Sequence, residues 1–231
     1  MTKSSHSTSN SIGTKNESSL HRSLKNHYAY KGNTEKKHGS FVCDAISSEG
    51  EAIEIQTGNF AALKKKLPLL AKQTKVRLIY PLVINKIIEL YDNEGQLVSR
   101  RKSPKKGLIW DIFNELIYAP GLIGLKNLTI EIVLVDAVER RRNDGKGSWR
   151  RKGISIEDRS LDQCRENIVL RKKTDWRRQF LTNNKEYTTK DLAMAVKISP
   201  ALARKTLYTL EKAGILEKKH KIGRSWLYIS S

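Results

Sequence analysis

The sequence contains few cysteines and histidines and no long apolar run. Its two cysteines, Cys43 and Cys164, lie far apart in no metal-ligand spacing, and its five histidines form no ligand cluster. This usage gives no zinc-site pattern and predicts a reducing, cytoplasmic location. The longest apolar stretches, Leu78–Ile84 and Leu128–Val138, contain proline or charge and are much shorter than the roughly 20 residues of a spanning helix. We therefore expect no membrane segment, and the N-terminus lacks the apolar core of a signal peptide.

Acidic residues are scarce relative to basic ones. The 231 residues include 44 Lys and Arg against 24 Asp and Glu, which gives a formal charge of +20 and a pI near 10.0. Such an excess predicts an anionic partner, either nucleic acid or an anionic membrane surface, and carries no information about fold. The length allows one sizeable core and a small second domain.

The first two thirds of the chain alternate between helical and strand-like patterns. Residues 1–14 are rich in Ser, Thr and Asn and predict a disordered tail. Hydrophobic periodicity then predicts, in order, a helix at Asn16–Tyr28, strands at Val42–Ile46 and Ala52–Thr57, a helix at Asn59–Lys72 and a strand at Val76–Ile84. It further predicts a hairpin around Asp92–Gly95, a helix at Leu108–Tyr118, a strand at Leu128–Val138, a basic loop at Glu139–Gly153 and a helix at Ser155–Lys173.

The last 45 or so residues carry the start and stop signals of two short helices and a ribbon. Thr188 and Asp191 fit a capping box, and Ser199-Pro200 fits an N-cap followed by proline at the first helical position. Two strand-like segments then flank the basic run "KHKIGR". The order helix, turn, helix, ribbon resembles a winged helix-turn-helix domain across residues 183–231.

A tight hairpin predicts that two carboxylates face each other. Ser47–Glu51 fits a three-residue loop in which Gly50 adopts the left-handed conformation. Counting from that turn places Asp44 directly opposite Glu54 on one sheet face, about 4.5–5.5 Å apart at Cβ. Like charges there are destabilising unless something compensates, and a divalent cation is the obvious candidate.

The run "FVCDAISSEGEAIEIQTG" resembles the motif of the PD-(D/E)XK, or restriction-endonuclease-like, nucleases. The resemblance implies that Asp44, Glu54 and the carbonyl of Ile55 hold Mg²⁺ or Mn²⁺. It also implies a further carboxylate, Glu17, on the preceding helix. Gln56 stands where the family has lysine, two residues beyond Glu54 and on the same face of the strand. The stretches "IEIQTGNF" and "GSWRRKGIS" also resemble uncharacterised bacterial proteins, which implies nothing about activity.

Gln56 leaves the chemistry of the motif open. A neutral amide can orient a water molecule but supplies no positive charge, and hydrogen bonds to charged groups are roughly twice as strong as neutral ones. A lysine that has migrated from elsewhere could replace it, with Lys25 and Lys86 as candidates. The alternative is that Asp44 only ends a strand and that Glu54 only faces solvent.

Basic residues outside the motif predict a nucleic-acid surface. The segment 139–153 has two interpretations. It is either a phosphate clamp with Trp149 as a stacking ring, or a solvated loop whose tryptophan is buried in the core. In the C-terminal segment, the predicted contacts lie on the second helix and at the ribbon tip, although winged helices also bind proteins. The candidate nucleic-acid-binding residues are Arg140, Arg141, Arg142, Lys146, Trp149, Arg150, Arg151, Arg204, Lys205, Tyr208 and Arg224.

These patterns together predict an α/β protein with a restriction-endonuclease-like mixed central sheet flanked by helices and a small C-terminal winged-helix domain. The expected divisions are a tail at 1–14, a nuclease-like domain at 15–175 and the winged helix at 183–231. The predicted function is Mg²⁺-dependent hydrolysis of DNA phosphodiester bonds, with duplex DNA as partner; homodimerisation is left open. The alternative is a non-catalytic DNA-binding regulator on an inactive nuclease-like scaffold.

Overall fold

A computed structural model describes residues 17–32, 34–38, 41–181 and 186–230. The predicted tail at 1–14 lies outside these residues. The described elements are α1 (Ser19–Tyr28), β1 (Thr34–His38), β2 (Phe41–Ile46), β3 (Ala52–Ile55), α2 (Phe60–Leu70), β4 (Val76–Tyr91), β5 (Leu97–Lys102), α3 (Phe113–Leu116), β6 (Leu128–Arg142), β7 (Ser155–Leu170), α4 (Lys173–Phe180), β8 (Glu186–Tyr187), α5 (Thr189–Ala195), α6 (Pro200–Lys212), β9 (Leu216–Ile222) and β10 (Ser225–Ser230).

The protein is a mixed α/β structure built on a central mixed sheet. The strand order is β1-β2-β3-β4-β6-β7, and β5 pairs with the second half of β4. Strands β3, β4 and β6 run parallel, whereas the remaining pairs are antiparallel. No helix among the described residues is long and apolar enough to span a membrane.

Helices cover both faces of the sheet because side chains alternate along each strand. Ile53 and Ile55 of β3 pack in one apolar cluster with Leu20 and Leu24 of α1. The intervening Ala52 belongs to a second cluster, which contains the apolar side of α2. A parallel strand buried on both faces needs this double cover.

Local turn chemistry confirms two predicted hairpins. The Ser47 amide donates to the Glu51 carbonyl at 3.1 Å, and Gly50 has φ +76°. The hairpin around Asp92–Gly95 joins β4 to β5, and Gly95 has φ +86°. In both turns glycine supplies the left-handed conformation that a side chain would strain.

One of the predicted helices is wrong, and another is confirmed only as a shorter helical segment. Residues Ser155–Leu170 form strand β7, which pairs with β6 along its whole length. The stretch Leu108–Tyr118 contains a 3₁₀ turn and only the single-turn helix α3. Strand β7 lies at the edge of the sheet and is polar on both sides. Its sequence therefore shows neither the two-residue period of a half-buried strand nor the 3.6-residue period of an amphipathic helix. Strand β6 also continues to Arg142, so part of the predicted basic loop is strand.

The predicted caps of the C-terminal helices are confirmed. The Thr188 hydroxyl accepts from the Asp191 amide at 3.3 Å, and the Ser199 hydroxyl accepts from the Leu202 amide at 3.2 Å. After α6, Gly214 has φ +67° and ends the helix. Strands β8, β10 and β9 then form a separate three-stranded antiparallel sheet.

The interval around 175–183, expected to separate two domains, is partly the helix α4. Its Trp176 and Phe180 rings are buried and stack with centroids 5.6 Å apart, and Phe113 meets Phe180 edge-on at 4.9 Å. One apolar cluster runs from Phe60 of α2 through these rings to Leu207 of α6. The C-terminal elements therefore share a core with the central sheet.

Replacing Trp176 with alanine should reveal this shared core. Because the ring is fully buried, we expect Trp176→Ala to lower the free energy of unfolding by about 3–5 kcal/mol. The matched control is Trp149→Ala, whose ring is 84% exposed and should change it by less than about 0.5 kcal/mol. Urea unfolding measures both, and equal effects would contradict the shared core.

Candidate functional site

An open cleft of about 1160 Å³ lies where α1, the first part of β2, the middle of β4, the segment 105–115 and the start of β7 meet. Both acids and bases line it. On one wall, Glu115 of α3 accepts from the Phe60 amide at 3.3 Å and so caps α2, whose own N-cap residue makes no side-chain cap. The predicted motif residues Glu17 and Asp44 also line this cleft.

His21 is the centre of the acidic part of the cleft. Its Nδ1 is 2.5 Å from Glu17 Oε1, and its Nε2 is 3.1 Å from the Ile55 carbonyl and 3.4 Å from Asp44 Oδ2. The structure thus brings Asp44 and the Ile55 carbonyl, two of the predicted metal-binding groups, together with Glu17, and the His21 ring contacts all three. Sequence reasoning did not assign His21 a role, although its i, i+4 spacing from Glu17 was a usable signal.

Glu17 precedes helix α1 and does not lie within it, which corrects the prediction. Ser18 is the N-cap, and its hydroxyl accepts from the His21 amide at 3.3 Å. The Glu17 carboxylate is folded back along the first turns, where Lys25 Nζ approaches it at 3.0 Å. Lys25 also pairs with Glu35 at 3.2 Å, so one predicted lysine candidate is engaged here.

Asp44 meets β3 through its side chain and not as a regular ladder partner of Glu54. The β2–β3 pairing ends at Ala45 opposite Ile53, one pair before the expected carboxylate pair. Asp44 Oδ2 instead accepts from the Ile55 amide at 2.8 Å. The hairpin register agrees with the prediction. The pairing of β2 with β3 stops, however, at the point where the Asp44 side chain takes the place of a backbone carbonyl as acceptor.

Glu54 is buried and is paired with a lysine that sequence reasoning missed. Lys66 Nζ lies 2.7 Å from both Glu54 oxygens and also donates to the Val42 carbonyl at 2.9 Å. The other predicted candidate, Lys86, pairs with the buried Glu139 at 2.9 Å. The usable signal for Lys66 was its place beside the apolar stripe of α2, one residue before Leu67.

Gln56 turns toward the loop that follows β3. Its amide nitrogen donates to the Gly58 carbonyl, and its backbone amide donates to the Ile79 carbonyl at 2.9 Å. The structure therefore places the glutamine where it orders the loop before α2.

The surroundings shift the pKa values of these groups in different directions. The Asp44 carboxylate raises the pKa of His21 to about 9. Glu17 also raises this pKa, whereas burial of the ring lowers it. Burial opposes ionisation of Asp44, but the bonds from His21 and the Ile55 amide outweigh it and lower the pKa. Burial, together with the Asp44 charge, raises the pKa of Glu54 despite Lys66. His21 is therefore a cation at neutral pH.

The donor set suits a hard cation by its chemistry. Asp44 Oδ2 and the Ile55 carbonyl are oxygens that face the same nitrogen of His21, and oxygens are the ligands that Mg²⁺ prefers. Within the described ranges, however, no group of three or more His, Cys, Asp or Glu side chains is arranged to hold a metal ion. The carboxylates of Asp44 and Glu54 are instead paired with His21 and Lys66.

The predicted phosphate clamp is divided between paired and exposed residues. Arg141 pairs with Glu139 at 2.5 Å, Arg140 lies 4.1 Å from the Tyr91 ring centroid, and both Arg140 and Arg142 pair with Glu157. Arg151 donates to the Ile154 carbonyl at 3.1 Å. Arg140 is exposed despite its pairing, and the other exposed members are Lys146, Trp149 and Arg150. Because Trp149 is exposed, the alternative of a solvated loop with a buried tryptophan is wrong.

The basic residues predicted on α6 also have different surroundings. Lys205 Nζ donates to Asn114 Oδ1 at 2.7 Å, at the contact between α6 and α3, whereas Arg204 and Tyr208 are exposed. Arg224 is exposed at the turn between β9 and β10.

Comparison with known proteins assigns the chain to a family without a known function. Residues 18–171 match the domain of unknown function DUF8091, and the chain belongs to this family. It is also 29% identical over 220 residues to an uncharacterized protein of Treponema pallidum (strain Nichols), which covers 94% of this chain and 86% of that protein. No solved structure matches the chain significantly.

Replacing His21 with glutamine should remove a pH-dependent part of the stability. Folding raises the pKa of His21 from 6.5 to about 9. The charged ring therefore stabilises the folded state by its full amount below pH 6.5, and this stabilisation is lost as the pH rises through 9. We expect urea unfolding to show a steeper loss of stability over this window in the wild type than in His21→Gln. His27→Gln, on an exposed position of the same helix, should keep the wild-type slope. Equal slopes for the wild type and His21→Gln would contradict this assignment.

Proposed function

We propose that the chain is a metal-dependent nuclease that hydrolyses DNA phosphodiester bonds, with a restriction-endonuclease-like main domain and a C-terminal winged helix. The observation that carries the proposal is the convergence of Glu17, Asp44 and the Ile55 carbonyl on His21 within an open cleft. These are the residues that the motif resemblance nominates, and they come from separate segments of the chain.

The second support is the position of Lys66. The family motif places an ammonium beside the glutamate, and here Lys66 of α2 contacts both oxygens of Glu54. An ammonium at this position supplies the positive charge that the neutral Gln56 lacks. In the proposed enzyme, Lys66 orients the attacking water and stabilises charge that develops on the phosphate.

The cleft also carries cations suited to a polyanion. Lys105 and Arg159 line the same cleft as Asp44 and are exposed, and Arg159 also pairs with Glu139 at 2.7 Å. Phosphate contacts of this kind position a nucleic acid without reading its sequence. Their role here is to hold the strand on either side of the acidic centre.

In the proposed enzyme, Asp44, Glu54 and the Ile55 carbonyl would hold Mg²⁺ or Mn²⁺. Such a cation, when bound, polarises a phosphate and lowers the pKa of coordinated water. The chain's own groups then have separate tasks. Glu17 keeps His21 and Lys25 near the site, and the Ile55 amide keeps Asp44 oriented.

A second candidate function is a DNA-binding regulator whose nuclease-like domain is inactive. The observation that favours it is that the acids are already neutralised, because His21 pairs with Glu17 and Asp44 while Lys66 pairs with Glu54. In that case His21 and Lys66 stabilise the fold, and the protein acts only by binding DNA through its basic surfaces.

A plasmid-nicking assay separates the two functions. With Mg²⁺ or Mn²⁺ we expect supercoiled plasmid to be nicked, and a chelator should stop the reaction. Asp44→Asn and Lys66→Met should each lower the rate by about a hundredfold or more. Lys64→Met, which removes an exposed lysine from the same helix, is the matched control and should cleave like the wild type.

The metal also has a readout that does not depend on cleavage. Added Mg²⁺ should raise the melting temperature of the wild type but not of Asp44→Asn. Absence of both metal-induced stabilisation and cleavage of duplex DNA, single-stranded DNA and RNA would exclude the nuclease and leave the regulator as the remaining proposal.

Gln56→Lys tests whether Lys66 has taken over the motif lysine. Because a lysine already contacts Glu54, a second one should lower cleavage in the wild-type background. In the Lys66→Met background, the same substitution should restore part of the lost activity. Initial nicking rates of the four proteins measure this, and a double variant no more active than Lys66→Met would reject the assignment.

A further inference from the structure

The C-terminal unit, residues 186–230, offers two basic surfaces to a nucleic acid: helix α6 and the ribbon formed by β9 and β10. In a winged helix the second helix is expected to enter the major groove. The contacts in this protein distinguish the two surfaces and favour the ribbon.

Helix α6 is covered on more than one side. Its apolar side is buried in the shared core, and a flank is closed by the bond from Lys205 to Asn114 of α3. Apart from Pro200 at its start, the exposed positions of the helix lie in one row: Ala201, Arg204, Tyr208 and Lys212. A helix must enter a groove about 12 Å wide and 8.5 Å deep to read bases, and a flank closed by protein restricts that entry.

The ribbon, in contrast, is exposed from Glu217 to Arg224. Lys218 Nζ lies 3.9 Å and Lys221 Nζ 5.3 Å from the centroid of the Trp226 ring, which is itself 37% exposed. Arg224 stands at the tip. Two ammonium groups beside one exposed indole combine phosphate contact with a stacking surface, the two elements that bind a nucleic-acid strand.

We propose that this ribbon, and not helix α6, makes the principal nucleic-acid contact of the C-terminal unit. Its ligand is the phosphodiester backbone, gripped by Lys218, Lys221 and Arg224, with Trp226 against a sugar or base. A two-stranded ribbon has the dimensions to enter the major groove. The inference rests on the DNA binding in the proposed function and is independent of whether the cleft cleaves.

The test compares two double variants that each remove two exposed positive charges beside an aromatic ring. Lys218→Gln/Lys221→Gln acts on the ribbon around Trp226, and Arg204→Gln/Lys212→Gln acts on α6 around Tyr208. Lys72→Gln/Lys126→Gln, two exposed lysines outside the C-terminal unit, is the charge-matched control. All are made in the full chain carrying Asp44→Asn, so that cleavage does not interfere, and thermal melting verifies folding.

Fluorescence anisotropy with a labelled duplex, at several salt concentrations, measures affinity and its salt dependence. We expect the ribbon variant to lose roughly tenfold or more in affinity and to reduce the salt slope by about two, because each lost phosphate contact removes about one unit. The α6 variant should change both quantities less than the ribbon variant does, and the control should match the parent.

A larger effect of the α6 variant than of the ribbon variant would overturn the inference while leaving DNA binding intact. No binding by the parent chain would reject the DNA binding in the proposed function and the inference together. Vesicles with and without anionic lipid form a further arm. If the ribbon variant loses vesicle binding and keeps DNA binding, the ribbon faces a membrane and the proposal is wrong.

Discussion

The hydrogen bond from the Ile55 amide to Asp44 is the interaction on which the arrangement of the site depends. It ends the ladder between β2 and β3 and satisfies an amide that would otherwise lack an acceptor at that point. The pairing of the two strands stops there, and Asp44, in the first part of β2, lines the cleft. His21 contacts both Asp44 and the Ile55 carbonyl at this point. A side chain thus replaces a backbone acceptor where the candidate site lies.

Much of the positive charge of the chain compensates acids within the structure. Glu139 is fully buried; burial opposes its ionisation, but Lys86, Arg159 and Arg141 outweigh this and lower its pKa to about 2. A buried carboxylate of this kind requires such partners, since removing one leaves an uncompensated charge. The formal charge of +20 therefore overstates the positive charge that is available to bind a polyanion. Exposed cations outside such pairs include Lys105 of the cleft, Lys146 and Arg150 near Trp149, and Lys218 and Lys221 of the C-terminal ribbon.

The shared core links the C-terminal unit to the cleft. Asn114 lines the cleft and accepts the bond from Lys205, so helix α6 contacts a residue of the candidate site's wall. The aromatic cluster around Phe113 and Trp176 fixes the same interface from the apolar side. The C-terminal unit is thereby fixed against the wall of the cleft.

Features set by neighbouring residues were predictable from the sequence. The hairpin at Ser47–Glu51 and the caps at Thr188 and Ser199 were correct, because glycine conformation and side-chain capping act within a few residues. Asp44 and Glu54 could be nominated for the same reason, from turn geometry and the motif. Strand β7 was not predictable as a strand, because its conformation comes from pairing with β6 and not from its own periodicity.

The sequence by itself therefore determined the local turns, the caps, the mixed α/β character and the candidate acids. Only the tertiary structure decided which cations meet those acids. His21 is 34 residues from Ile55, and Lys66 is 12 residues from Glu54, so no short-range pattern specifies either contact. Burial forces each carboxylate to find a partner, and the packing of α1 and α2 on opposite faces selects which side chain is within reach.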